Sequence, residues 1–176
     1  MGLLETRPSQ WLPIDDLDEA RICIDLMHHE IHEANNYTVS YSKAISAGSV
    51  LAVAITTPTS HRMHLIGGLQ SSLSGTFIFS QGASISSGSA LTIWNNDLSS
   101  TNTSGSVIVG TPVVTTYGTV ISTYIIGTND KQNGIGGSGE SRNEFILATS
   151  STYILYFTAN ATSTFSSINI SYYMEE

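Results

Sequence analysis

The stretch His28-His29-Glu30-Ile31-His32-Glu33-Ala34-Asn35-Asn36-Tyr37-Thr38-Val39-Ser40-Tyr41 is where the chain changes character. Before it lies an acidic segment with few strand signals. After it come short apolar runs separated by Ser, Thr, Gly and Asn. Inside the stretch, Tyr37, Val39 and Tyr41 alternate with Thr38 and Ser40, the two-residue period of a strand with one buried face. The asymmetry predicts an arm over residues 1–20 and a single β-rich domain over residues 21–176.

Downstream, the pattern predicts strands at 37–42, 50–55, 61–69, 76–80, 90–94, 106–109, 119–126, 143–148, 152–159 and 168–174. Upstream, Leu17, Ala20, Ile24, Met27 and Ile31 fall at helical spacings, whereas Ile22, Ile24 and Leu26 alternate. The β-branched isoleucines decide for a strand over 21–27. About ten short strands joined by Gly, Ser and Asn, with no helix between them, predict an all-β fold. The expected architecture is an antiparallel β-sandwich or jelly roll with an extended acidic N-terminal arm. No fixed internal period points to a propeller or solenoid. Long loops are expected at 95–105 and 127–142, where binding variation concentrates.

At 176 residues the chain suits one domain. Charged residues make up 11%, well under the roughly 25% of an average domain, and hydroxyls fill the polar positions. A hydroxyl costs less to desolvate than a charge, so this surface suits contact with other protein surfaces. Of the net charge of −8, residues 1–33 hold −6, from eight acids against Arg7 and Arg21. No stripe of Lys and Arg is available to neutralise phosphates, which argues against a nucleic-acid partner. Cys23 stands alone, so no internal disulfide is expected. The start of the chain has no basic-then-apolar leader pattern, and no run reaches the about 18 apolar residues of a membrane span. No membrane partner is expected.

The histidines resemble a zinc motif without completing it. Two ligands one helical turn apart require His-Glu-x-x-His, and His29-Glu30-Ile31-His32 is one residue short. On a strand, His28, Glu30 and His32 would share a face, but a hydrogen-bonded cluster at a subunit contact is the preferred reading of His28, His29 and His32. Gly134-Ile135-Gly136-Gly137-Ser138-Gly139 spells a dinucleotide fingerprint, yet the residues after it read as a strand, not the required helix. No nucleophile elbow or Walker sequence occurs, so no metal, cofactor or catalytic residue is expected and no enzyme is proposed. In the arm, Trp11, Leu12 and Ile14 flank Pro13 among polar neighbours, a set suited to anchoring on a neighbouring subunit.

Several segments together resemble a family of tailed-bacteriophage virion proteins. They are His28 to Glu33 with Asn36-Tyr37-Thr38, the Ser100-Thr101-Asn102-Thr103-Ser104 loop, the glycine loop with Arg142-Asn143-Glu144-Phe145-Ile146-Leu147, and Ser171-Tyr172-Tyr173-Met174-Glu175-Glu176. The resemblance runs in collinear order from about residue 22 to the end. It implies a capsid decoration or cement protein of jelly-roll type on the outer surface of the phage head, assembled in the bacterial host cytoplasm. Its implied partners are the major capsid protein and further copies of itself in a homo-oligomer. The family's usual glycine after the histidine motif is Ala34 here, and Asn95, Asn96 and Asp97 replace basic residues. The alternative is a receptor- or carbohydrate-binding β-sandwich of the virion tail using Trp94, Tyr117 or Tyr124 as stacking platforms.

Overall fold

The computed structural model describes residues 26–71, 74–126, 133–135, 144–161 and 163–175. The chain enters through a short helix, α1 (Leu26–His32), that ends in a hydrogen-bonded closure. The Asn35 N–H donates to the Glu30 carbonyl at 2.9 Å and the Ala34 N–H to the Ile31 carbonyl at 3.0 Å, with Ala34 at φ +58°. This pair of bonds is a Schellman motif, which satisfies carbonyls the helix leaves open. The strand expected over 21–27 is corrected where it is described: Leu26 and Met27 begin α1, and residues 21–25 lie outside the described residues. Leu-Met-His-His-Glu-Ile-His holds one β-branched residue, Ile31, so the helical spacing prevails once Ile22 and Ile24 are left behind.

Ala34 turns the chain into the first of two antiparallel sheets. Its order is β10 (Glu144–Leu147), β3 (Arg62–Ser71), β12 (Ser163–Glu175), β1 (Asn36–Ile45) and β6 (Trp94–Asn95), with β9 (Asn133–Ile135) also along β3. The second sheet runs β5 (Ser84–Ala90), β7 (Val107–Thr116), β2 (Val50–Thr56), β11 (Thr152–Ala159), β4 (Gly75–Gln81) and β8 (Thr119–Ile126). Sequence neighbours often lie in opposite sheets: β1, β3 and β12 belong to the first, β2, β4 and β11 to the second. The all-β expectation holds.

Alternation builds the core between the sheets. Tyr37 and Val39 of β1, Met63 and Leu65 of β3, and Ile168, Ile170 and Tyr172 of β12 face Leu51, Val53, Ile55, Phe77, Phe79, Leu155 and Phe157. Each such side chain withdrawn from water contributes about 1.5–3 kcal/mol before chain entropy is counted. Packing is close enough that a side chain at Gly75 would strike the Phe157 ring and the Thr158 carbonyl.

β2 departs from simple alternation, since Leu51 through Ile55 are all buried. The reason is a flap. β7 pairs with β2 from Val107 to Gly110, and Thr111 then takes φ +44°. Beyond it, Val114 and Ala83 pack on Ala52 and Ile154, and the Tyr117 ring meets Tyr156 at 4.7 Å. The β5–β7 ribbon therefore covers the outer face of the second sheet and hides Ile154. The expected strand at 90–94 splits: Ala90 ends β5 and Trp94 opens the two-residue β6. β5 itself was not expected, because Ser-Ile-Ser-Ser-Gly-Ser-Ala has almost no apolar period. Among the described residues, no helix is long and apolar enough to cross a membrane.

Candidate functional site: one end of the sandwich

The helix decides what the histidines do. His28 and His32, four residues apart, meet on one side of α1 with their Nε2 atoms 2.8 Å apart. One ring donates and the other must present a bare nitrogen. Both are exposed, as is His29, whose Nδ1 lies 3.9 Å from Glu30 Oε1. The strand-face arrangement of His28, Glu30 and His32 is corrected, because a helix turns Glu30 away from the paired rings. Among the described residues, no group of three His, Cys, Asp or Glu side chains is placed to hold a metal ion.

A second cluster lies beside α1 on the outer face of the first sheet. The register sets Tyr173 of β12 beside His64 of β3, and β10 brings Glu144 to the same place. His64 Nδ1–H donates to Glu144 Oε1 at 2.7 Å, and the Tyr173 hydroxyl donates to the same oxygen at 2.6 Å. The Tyr173 ring stacks on the His64 ring at 4.4 Å, and His64 Nε2 lies 3.4 Å from Glu175 Oε2. Sequence reading missed this cluster, since His64 carries no motif. Only Glu144, Tyr173 and Glu175 fell in quoted segments.

An open pocket lies between α1 and this second cluster, lined by His29, Glu30, Glu33, His64, Tyr173 and Glu175. A neighbouring pocket is lined by Tyr37, His61, Thr101, Asn102, Thr103 and Ser104. Asn35 and Met174 border both, and the Met174 N–H donates to the Asn35 carbonyl at 3.0 Å.

The loop after β6 is tied to this end at several points. Asn95 Nδ2 donates to the Ala34 carbonyl at 2.8 Å, the Asn96 N–H to the Asn36 carbonyl at 2.9 Å, and the Asn96 side chain to the buried Asn36 side chain. Asp97 Oδ1 accepts from Ser99 Oγ at 2.6 Å and the Ser99 N–H at 3.0 Å. The Ser99 hydroxyl and then its N–H hold the Asp97 carboxyl below its ordinary 3.8, with His32 nearby adding to the effect. Ser104 Oγ accepts from the buried Tyr172 hydroxyl at 2.8 Å, and burial pushes that hydroxyl up to about 12. So fastened, the segment presents Trp94 at 59% exposure and Leu98 at 81% on the flank of β1.

His28, His29 and His32 thus sit together and exposed. Trp11, Leu12 and Ile14 lie outside the described residues, as do the arm and its boundary at residue 20. The proposed stacking aromatics sit differently: Trp94 is exposed on the first sheet, Tyr117 is exposed with its ring against Tyr156 of the second, and the half-buried Tyr124 meets Phe77 at 6.2 Å. The glycine loop contributes Asn133–Ile135 to β9, and residues 136–143 lie outside the described residues. The segments around His28, Ser100, Glu144 and Tyr172, far apart in sequence, gather at one end of the sandwich. No family model, curated protein or solved structure matches the chain.

Proposed function

We propose that this chain is a virion structural protein, a capsid decoration or cement protein that binds the outer surface of a tailed-phage head and bridges capsomers. The observation that carries the reading is that convergence. Three segments of the resemblance line the two pockets that share Asn35 and Met174, the Tyr173–Glu144 hydrogen bond joins the fourth, and the adjoining loop, tied to Ala34 and Asn36, leaves Trp94 and Leu98 exposed. Trp is a residue on which protein interfaces concentrate their binding energy.

The strand order supports a jelly roll. β1-β12-β3-β10 faces β2-β11-β4-β8, two sets of four strands between which the chain alternates, with β5, β6 and β7 inserted between β4 and β8. In this reading the acidic arm, with Trp11, Leu12 and Ile14, leaves from the histidine end and reaches the major capsid protein or a sister subunit. Contacts repeated over a shell hold firmly, because each one engaged raises the effective concentration of the next.

Co-sedimentation with undecorated phage shells tests the proposal, using the full chain, a chain lacking residues 1–20, and His28→Ala/His32→Ala/Trp94→Ala. Saturable binding that weakens in both altered proteins is expected. Absence of binding by every form overturns the reading. Binding to a glycan array that Trp94→Ala abolishes would turn it toward a receptor-binding tail component.

A further inference from the structure

The four sheet edges are not alike. In the first sheet, β6 covers two residues of β1 and leaves the rest of that edge carrying Lys43 and a register shift, and on the other side β10 and β9 are four and three residues long. In the second, β5 pairs with β7 through three register shifts. Short edge strands and bulges are devices that keep an edge from recruiting another chain. β8 differs. It is eight residues long, Thr-Val-Ile-Ser-Thr-Tyr-Ile-Ile, without charge or proline, and among the described residues it hydrogen-bonds on one side, with β4, while β9 of the first sheet lies near it. Its one shift, between Phe79 and Ser80 of β4, leaves residues 122–126 in regular register. Its outer face shows Val120, Ile121 and Ile125 at 51%, 41% and 83% exposure.

We infer that β8 is a self-association edge, pairing antiparallel with β8 of a second copy to join two six-stranded sheets into one. The occupant follows from charge and residue type. The chain carries −8 overall, so two copies meet most easily where each is neutral, and residues 117–126 contain no charged side chain. A two-fold pairing centred on Tyr124 sets Thr123 against Ile125 and Ser122 against Ile126, twice each. The Thr123–Ile125 pairs are β-branched on both sides, a side-chain class that packs well across antiparallel strands. Such an interface is closed by its own symmetry. The inference deepens the homo-oligomer part of the proposed function and rests on that part alone. It does not depend on shell binding.

The test is the sedimentation mass of the isolated full chain beside Thr123→Lys and Ile125→Lys, both on exposed positions. An even-numbered oligomer whose mass halves in the lysine variants, with circular dichroism unchanged, is expected. A monomer, an odd-numbered oligomer or a mass indifferent to the lysines overturns the inference. Should the variants fail to fold, amide exchange on the wild-type chain decides: residues 122–126 should exchange more slowly as protein concentration rises. Protection independent of concentration would mean that the chain's own residues cover the edge, and would overturn it. Because shells are absent, failed capsid binding counts against the decoration reading and an unchanged mass against this one.

Discussion

Ala34 holds a conformation that L-residues adopt at a cost of about 1–2 kcal/mol, and it does so at the C-terminal closure of α1. Glycine removes that strain while adding about 0.5–1 kcal/mol of unfolded-state entropy to be lost on folding. Ala34→Gly is therefore expected to stabilise the protein by up to about 1 kcal/mol, read as a raised urea midpoint. A lowered midpoint would show that the buried methyl outweighs the strain. The departure from the resembled family's glycine at this position leaves the turn itself intact, because the Asn35 and Ala34 N–H bonds need backbone only. At the same scale, the two adjacent tyrosines of the closing segment take opposite roles. Tyr172 points inward to Ser104 and Tyr173 outward to Glu144, as the two-residue period of β12 requires.

The turn between β10 and β11 shows how an element is held from a distance. The buried Thr57 hydroxyl donates to the Ala148 carbonyl at 2.7 Å and accepts from the Ser151 N–H at 3.0 Å. Thr57→Val preserves shape and removes both bonds, which at this partly exposed turn should cost about 1 kcal/mol. Thr57→Ser retains the hydroxyl and should cost less, so unfolding free energies ordered wild type, Ser, Val are expected. Equal losses in both variants would assign the role to the methyl group. Sequence reading placed β1, β2, β4, β8, β11 and β12 because each has an apolar period or run of its own. It missed β5 and β9, which are strands because β7 and β3 offer them hydrogen bonds, a condition that no local pattern encodes. It placed α1 wrongly for a related reason: the closure that rewards a helix lies beyond the stretch being weighed.

For the molecule as a whole, the buried tyrosines set an alkaline limit. Burial raises the hydroxyl of Tyr172 to about 12, and burial likewise raises Tyr37 and Tyr156 above 10.0. The folded state holds these protons more tightly than the unfolded chain does. Stability is therefore complete below the ordinary tyrosine value of 10.0 and falls as pH rises through it toward 12. Tyr172 alone should cost about 1 kcal/mol by pH 11. Urea unfolding at pH 9 and pH 11 checks this, with a lower midpoint expected at the higher pH. An unchanged midpoint would mean that Tyr172 reaches solvent. The candidate surface also belongs to this scale. His28, His29 and His32 could be named in advance because they are contiguous, whereas His64, Glu144 and Tyr173 needed three strands in register to become a cluster.

By itself the sequence determined an all-β body, most of its longer strands, and a composition rich in hydroxyls and poor in charge. These follow from local period and composition, which act on each segment independently. The tertiary structure alone decided which strands neighbour one another, that the β5–β7 ribbon folds over Ile154, and that segments around residues 28, 64, 100, 144 and 173 share one end. Those outcomes depend on hydrogen bonds and burial between residues as far apart in the chain as Asn35 and Met174. Such pairings are fixed by the mutual fit of whole faces, a property that no single stretch of the chain contains.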